Sequence, residues 1–160
     1  MALHSLSKNV QQLIEVYQNT NAFGKHLNLK LKEVGEGEVT YYLQIEQPHL
    51  ATPHAAHGGV IAAMMDGVLG VAALTVSAEK LQLVSTVEFK INYISPAYVN
   101  DKLIGKGKVL KAGKRIIVSE GEIFEAASKR IIAKAIGTFN AYPYQKAGIE
   151  ALKTVGENRQ

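Results

Sequence analysis

The sequence predicts an α+β domain with one long buried helix and one mostly antiparallel sheet. Three observations support this fold class. With 160 residues, 47% of them hydrophobic, the chain has the size and the apolar content of one folded domain. A long apolar run occupies residues 60–76. After that run the hydrophobic period switches to two, which is the period of β-strands.

Before the apolar run, the pattern predicts a helix followed by a hairpin. Apolar residues at helical spacing favour an amphipathic helix over residues 5–19, which ends before Gly24. Strands are predicted at 27–34 and 39–47, and a Gly-Glu-Gly turn joins them.

After the apolar run, the pattern predicts four strands of a meander. The first, at 86–94, alternates apolar and polar residues and is closed by Pro96, and strands at 102–110, 115–124 and 130–140 follow. The predicted organisation is an N-terminal helical segment over residues 1–24, a main domain over 25–142 and a C-terminal tail over 143–160.

The composition argues against several classes of protein. Cysteine is absent, which excludes disulfides and thiolate zinc sites and favours a cytoplasmic location. Residues 101–160 hold 12 Lys and Arg against 6 acidic residues. Because these cations are spread over alternating strands, we expect a solvated sheet face and no nucleic-acid partner. Residues 1–10 lack the features of a signal peptide.

The apolar run contains one charged residue, Asp66. Such a run is either a membrane span or a helix buried in a protein. Strand patterns surround it, no basic cluster flanks it, and a charge inside a membrane span is costly, so we expect a deeply buried helix and no membrane partner. A carboxylate with few polar neighbours is a good proton acceptor, which makes Asp66 the candidate catalytic residue. The alternative is an Asp that bonds a neighbouring loop.

The residues His57-Gly58-Gly59 form the start of this helix. Free N–H groups and the helix dipole at a helix start favour a developing negative charge, so the Gly58 N–H is a candidate oxyanion donor. The three residues alone are equally compatible with an ordinary glycine turn. His49 and His54 lie nearby in sequence, but no acidic residue lies among the three histidines, and we expect no metal ion.

These residues resemble a known family. The run from His57 to Asp66, followed by Gly70, is similar to the HGG...D signature of the hotdog-fold acyl-CoA thioesterases, in particular the PaaI-like group. The resemblance covers about residues 25–140. Three later segments agree with it: the strand 86–96 that ends in a proline, the Gly-Lys-Arg turn at 113–115, and Gly-Thr-Phe at 137–139.

The resemblance implies a hotdog fold, in which a curved antiparallel sheet wraps a long central helix. Such proteins form homodimers and often homotetramers. The resemblance also implies hydrolysis of acyl-CoA without a cofactor, with Asp66 as general base or nucleophile, the Gly58 N–H as oxyanion donor and Thr86 as a supporting hydroxyl. His57 would hold the start of the helix.

The remaining expectations concern the substrate and the alternative functions. The candidate substrate contacts are Gly59, His54, Lys114 and Arg115, the last two for the nucleotide phosphates of CoA. The family commonly has Asn six residues before the motif histidine, where this chain has Ala51. Two other functions stay open: an acyl-CoA-binding protein without catalysis, and a hotdog dehydratase in which a histidine pairs with an acid.

Overall fold

The computed structural model describes residues 6–148 and has the predicted α+β architecture. One long helix lies against a six-stranded sheet. The helices are α1 (Lys8–Thr20), α2 (Ala22–His26) and α3 (Gly58–Ser77). The strands are β1 (Lys30–Gly35), β2 (Glu38–Gln44), β3 (Gln82–Tyr93), β4 (Lys102–Ala112), β5 (Ile116–Glu125) and β6 (Ile131–Pro143).

The sheet has the strand order β1-β2-β4-β5-β6-β3, and all neighbouring strands are antiparallel. β1 forms one edge and pairs with β2 in the predicted hairpin. β3 forms the other edge, since its one neighbour within residues 6–148 is β6. β3 begins at Gln82, four residues before the predicted strand, because it pairs with the end of β6 as far as Pro143. Thr86 lies opposite Phe139 in this register.

Helix α3 forms the centre of the hydrophobic core. Met64, Met65, Val68 and Leu69 on this helix are fully buried. The stretch Gly58–Lys80 is long and apolar enough to cross a membrane by composition, but most of it is buried inside the protein. We therefore assign α3 as the core helix of the domain.

Glycines in the sheet let α3 approach it closely. Gly107 on β4 and Gly121 on β5 are paired directly, and both face Val68 of the helix. A Cβ atom on Gly107 would lie 2.5 Å from the carbonyl oxygen of Val68, which is closer than carbon and oxygen atoms pack. These glycines therefore set the distance between the helix and the sheet.

The first strand begins later than the sequence pattern predicts. The pattern places its start at residue 27, whereas β1 begins at Lys30. The reason is α2, a short helix that sequence analysis missed. Its N-cap is Asn21, whose side-chain oxygen accepts the Gly24 N–H at 2.9 Å.

The structure describes most of the predicted N-terminal segment but only the first part of the predicted C-terminal tail. Helix α1, which makes up most of the predicted N-terminal segment, packs on the core through Val10, Leu13 and Ile14. In the predicted C-terminal tail, Tyr144–Ala147 forms a 3-10 turn. Residues 149–160 of that tail lie outside the described residues.

We expect Gly107→Ala to lower the free energy of unfolding by about 1–3 kcal/mol, because the added methyl group would push α3 away from the sheet. Urea denaturation followed by circular dichroism at one protein concentration measures this quantity. Gly35→Ala is the matched control: its Cβ atom would meet Glu38 at 3.8 Å, an ordinary contact, so we expect a change within about 0.5 kcal/mol. Equal losses in both variants would contradict the close approach.

Candidate active site

Asp66 lies on α3 beside buried residues but is not itself enclosed. Met65 is fully buried, whereas Asp66 is partly exposed together with Ala62, Ala63 and Gly70, which lie on the same side of the helix. The deep burial that the composition predicts for this carboxylate is therefore wrong. The physical reason is that the sheet of a single chain leaves this side of α3 partly uncovered.

Thr86 fixes the Asp66 carboxylate. The Thr86 hydroxyl donates a hydrogen bond to Asp66 Oδ1 at 2.8 Å, across 20 residues of sequence. The pairing of β3 with β6 shifts between Thr86 and Glu88, which leaves Val87 as the extra residue of a β-bulge. A bulge changes the direction of neighbouring side chains, and this one lies directly beside the carboxylate.

A cavity of about 230 Å³ opens beside Asp66 and Thr86. It lies between α1, α3 and the end of the sheet formed by β3 and β6. Its lining is mainly aliphatic and aromatic, and Asp66 is the one charged residue among the lining residues of the described chain. The lining residues are Leu13, Val16, Tyr17, Thr20, Asp66, Gly70, Val71, Leu74, Leu83, Val84, Thr86, Phe139 and Tyr142.

Two tyrosines, Tyr17 and Tyr41, lie near Asp66. Tyr17 on α1 lines the cavity, and its Oη accepts a hydrogen bond from Asn21 Nδ2 at 2.8 Å. Tyr41 on β2 is buried, lies against Gly67 and interacts electrostatically with Tyr17. Burial raises the pKa of both hydroxyls, and the nearby charge of Asp66 further raises the pKa of Tyr17. Both side chains therefore remain protonated at neutral pH.

His57 is the N-cap of α3 and holds the start of the helix. Its backbone N–H donates to the His49 carbonyl oxygen at 2.8 Å, and its Nδ1 accepts the Gly59 N–H at 2.8 Å. The Gly59 N–H is therefore already bonded within the chain. The Gly58 N–H makes no hydrogen bond within residues 6–148, and Gly58 is exposed. Gly58 is thus the residue of this motif with a donor available to a ligand.

Tyr93 ties the end of β3 to the start of α3. Its hydroxyl donates to the Gly58 carbonyl oxygen at 3.1 Å. A Cβ atom on Gly58 would lie 3.6 Å from the Tyr93 ring, an ordinary contact. A side chain of the edge strand therefore holds the Gly58 carbonyl group, next to the exposed Gly58 N–H.

The other predicted substrate contacts lie outside the cavity. His54 is exposed, and its carbonyl oxygen accepts the Val99 N–H at 3.0 Å. Lys114 and Arg115 are exposed in the turn between β4 and β5, where Arg115 Nη2 donates to Asn140 Oδ1 at 3.3 Å. None of the three lines the cavity beside the carboxylate.

The segment before α3 contains no group of metal ligands. Ala51 lies in an exposed turn, and its methyl side chain has no hydrogen-bonding atom. His49 is buried, and its Nδ1 accepts the Glu46 N–H at 3.1 Å. Among residues 6–148, no three His, Cys, Asp or Glu side chains come together as metal ligands.

Sequence reasoning assigned no role to Tyr17, Tyr41 or Tyr93. The one available signal was the position of Tyr17 on the apolar side of a predicted amphipathic helix, which directs its ring toward the protein. Nothing in the local pattern places Tyr17 in the same cavity as Asp66, because α1 and α3 meet only in the folded chain.

Comparison with known proteins gives the chain a family. Residues 54–132, which include the His57-Gly58-Gly59 motif, Asp66 and Thr86, match the sequence model of the thioesterase superfamily. Acyl-coenzyme A thioesterase 13 of Homo sapiens is 24% identical over 131 residues, which are 81% of this chain and 92% of that protein. A candidate esterase of Saccharolobus solfataricus is 32% identical over 130 residues, which are 81% of this chain and 90% of that protein.

The fold also has a close counterpart among solved structures. The PaaI protein of the E. coli phenylacetic acid degradation operon matches with a TM-score of 0.78 at 19% identity, over 86% of this chain and 96% of that chain. This similarity confirms the hotdog fold that the sequence resemblance implies. Together with the family match and the relative at 32% identity, it shows that the chain belongs to the thioesterase superfamily.

Proposed function

We propose that this protein hydrolyses acyl-CoA thioesters to a free acid and CoA. The observation that carries the proposal is the Asp66–Thr86 pair, hydrogen-bonded at 2.8 Å, beside an apolar cavity. A carboxylate in this position can take a proton from water or attack a carbonyl carbon, and the cavity offers space for an acyl group. The name of the human relative, an acyl-coenzyme A thioesterase, supports this substrate class.

Two chemical routes fit this carboxylate. As a general base, Asp66 takes a proton from water while the water oxygen bonds to the thioester carbon; the C–S bond then breaks and the CoA sulfur is protonated. As a nucleophile, Asp66 bonds to the thioester carbon and CoA departs, after which water hydrolyses the mixed anhydride. Thr86 orients the carboxylate in both routes.

Both routes place negative charge on the carbonyl oxygen, for which the Gly58 N–H is the proposed donor. Gly58 and Asp66 lie on one continuous helix, and eight residues correspond to about 12 Å at 1.5 Å per residue. The reacting atom must lie about 3 Å from both groups. The N–H and the carboxylate of one chain therefore cannot serve the same thioester, and the active site requires Gly58 of one protomer and Asp66 of the partner subunit.

The uncovered surfaces support such a homodimer. The edge strand β3 exposes Val87 and Tyr93, and Ile94 follows directly after it; each is exposed by more than half. An exposed apolar edge strand is a surface that pairs with another chain. Next to it lies the partly uncovered side of α3 at Ala62 and Ala63. A second copy placed there would cover both surfaces; assembly into a homotetramer and a cytoplasmic location stay predictions.

Hydrolysis is better supported than dehydration. A dehydratase requires a histidine that exchanges a proton with the substrate, whereas Nδ1 of His57 is bonded to the Gly59 N–H. A non-catalytic acyl-CoA-binding protein would keep the cavity and release no thiol. For the phosphates of CoA we propose the exposed Lys114 and Arg115, and for the rest of the substrate His54 and close approach to Gly59.

We expect Asp66→Asn to lower kcat by about a hundredfold or more, because loss of a positioned base or nucleophile usually costs 10²–10⁴ in rate. Thiol release from a panel of acyl-CoAs, from acetyl to palmitoyl and including aryl-acyl forms, measures the activity. We expect the Asp66→Asn protein to fold and to bind substrate, and such a result excludes unfolding as the cause of the lower kcat. Near-normal turnover by Asp66→Asn would overturn the proposed role of this carboxylate.

Thr86→Ala should lower kcat less than Asp66→Asn, because a hydroxyl that orients the carboxylate contributes less than the carboxylate itself. Thr86→Ser keeps the hydroxyl and is the matched control, with activity expected close to that of the original protein. A loss in Thr86→Ala as large as that in Asp66→Asn would contradict this ranking.

Mixed dimers test whether two chains share each site. Gly58→Pro removes the proposed N–H donor, and the extended His57 backbone (φ −65°, ψ 135°) is compatible with a following proline. We expect this variant and Asp66→Ala to be inactive alone. After denaturation and refolding of a mixture, half of the dimers are mixed and each has one intact site, so activity should return to about a quarter of the original level.

Gly58→Ala is the control for the proline variant, since it keeps the N–H and its Cβ atom would only touch Tyr93 at 3.6 Å. It should retain most of the activity. A mixture that stays inactive although the chains demonstrably exchange would contradict the shared site.

A further inference from the structure

The connection between β3 and β4 crosses one end of the sheet. β6 and β5 lie between these two strands in the sheet, so residues 94–101, here called the crossing segment, pass the ends of both. Arg130 lies at this end, directly before the first residue of β6. The start of α3 lies there too, because Tyr93 at the end of β3 donates its hydroxyl to the Gly58 carbonyl oxygen. Arg130, the crossing segment and the proposed oxyanion donor therefore share one end of the domain.

Arg130 holds the crossing segment at three places. Its Nη2 bonds Asp101 Oδ2 at 2.7 Å, and its Nη1 donates to the Pro96 carbonyl oxygen. Its guanidinium lies over the Tyr98 ring, 5.1 Å from the ring centre. Asp101 Oδ2 also accepts the Tyr98 N–H at 2.8 Å, which closes the turn that Arg130 contacts. A planar guanidinium with several N–H groups makes all of these contacts at once.

The crossing segment in turn holds the residues that lead into α3. The two stretches are joined by two backbone hydrogen bonds and one antiparallel bridge. The hydrogen bonds run from the Ala56 N–H to the Ala97 carbonyl oxygen at 2.8 Å and from the Val99 N–H to the His54 carbonyl oxygen at 3.0 Å, and the bridge joins Ala55 and Tyr98. Gly58 follows Ala56 by two residues and is the first residue of α3. The location of the Gly58 N–H therefore depends on that of the crossing segment.

We propose that Arg130 is a positioning residue for the oxyanion donor: it holds the crossing segment, which holds residues 54–56 and thereby the Gly58 N–H. Arg130 does not line the cavity beside Asp66, so it acts through the backbone and not on the acyl group. The catalytic consequence rests on the hydrolysis and the shared site proposed above. The restraint on residues 54–56 does not depend on which reaction the protein catalyses.

Hydrogen exchange followed by mass spectrometry tests the restraint without an activity assay. Arg130→Met removes every N–H donor of the side chain. We expect amide exchange to become at least about threefold faster in peptides covering residues 50–57 and the crossing segment, and to stay unchanged in peptides covering β1 and β2. Lys134→Met is the matched control: it removes an exposed ion pair with Glu122 at 3.2 Å and should leave exchange in both segments unchanged.

Kinetics with the acyl-CoA that the original protein hydrolyses fastest test the effect on catalysis. The donor stabilises charge that develops on the carbonyl oxygen in the transition state, so its displacement lowers kcat and leaves substrate binding unchanged. We expect Arg130→Met to lower kcat about tenfold to thirtyfold while KM changes less than twofold. The loss should be smaller than in Gly58→Pro, because the contacts of His57 and Tyr93 still hold the start of α3. A raised KM with an unchanged kcat overturns the role of Arg130.

Mixed dimers identify the half of the site that Arg130 serves. After refolding of Arg130→Met with Asp66→Ala, each mixed dimer has one site with an undisturbed donor and an intact carboxylate. Activity should then rise to about a quarter of the original level. With Gly58→Pro, every site has a displaced or missing donor, so activity should stay at about half that of Arg130→Met alone. Any other pattern overturns the assignment of Arg130 to the donor.

A second variant covers the case in which Arg130→Met does not fold. Arg130→Lys keeps a positive charge opposite Asp101 but cannot bond Asp101 and Pro96 together, so we expect smaller changes in the same directions in all three experiments. Unchanged exchange in residues 50–57 in the folded variant overturns the restraint. Faster exchange there, together with no thiol release by the original protein from any acyl-CoA, keeps the restraint and refutes the proposed hydrolysis.

Discussion

The close contact between α3 and the sheet is the constraint on which the rest of the molecule depends. An apolar helix of 20 residues has to be enclosed, and glycines on facing strands let the sheet backbone come within contact of the helix backbone. Tight packing on one side of the helix has a consequence on the other. Six strands from one chain cover the side at Val68 and Leu69 and leave the side at Ala62 and Asp66 partly open.

The partly open side of α3 is a suitable place for a reactive carboxylate such as Asp66. A carboxylate inside the packed side would lose its hydration without gaining partners, which is costly. On the open side, Asp66 keeps a hydroxyl partner and access to a ligand. Further removal of water from Asp66 requires another molecule to cover the open side of α3. In the proposed dimer it is the second chain and the acyl group, so the low-polarity environment is completed only when the site is assembled and filled.

Local patterns were enough to predict the long helices, the six strands and the fold class, though not α2, because burial on one face of a strand or around a helix repeats along the chain. The apolar run alone singled out Asp66, and the family resemblance added Thr86. Strand order was beyond reach, since no local pattern specifies that β3 pairs with β6 and lies at an edge. The burial of Asp66 was overestimated, because an apolar sequence shows that a helix needs to be enclosed but does not show whether its own chain or a second chain encloses it. Tyr17 was missed because it reaches the cavity beside Asp66 only when α1 packs against α3 in the folded chain.

The packing of α1 has a consequence for the length of the acyl group. At about 30 Å³ for each non-hydrogen atom, as in liquid water, a cavity of about 230 Å³ holds roughly eight such atoms. A longer chain that stays inside this cavity needs α1 to move outward, since this helix forms one wall of the cavity. Moving it uncovers Val10, Leu13 and Ile14, at about 1.5–3 kcal/mol for each fully exposed side chain. The hydrophobic contacts of the N-terminal helix thus set how much binding energy a longer acyl chain must provide to be enclosed within this cavity of the proposed site.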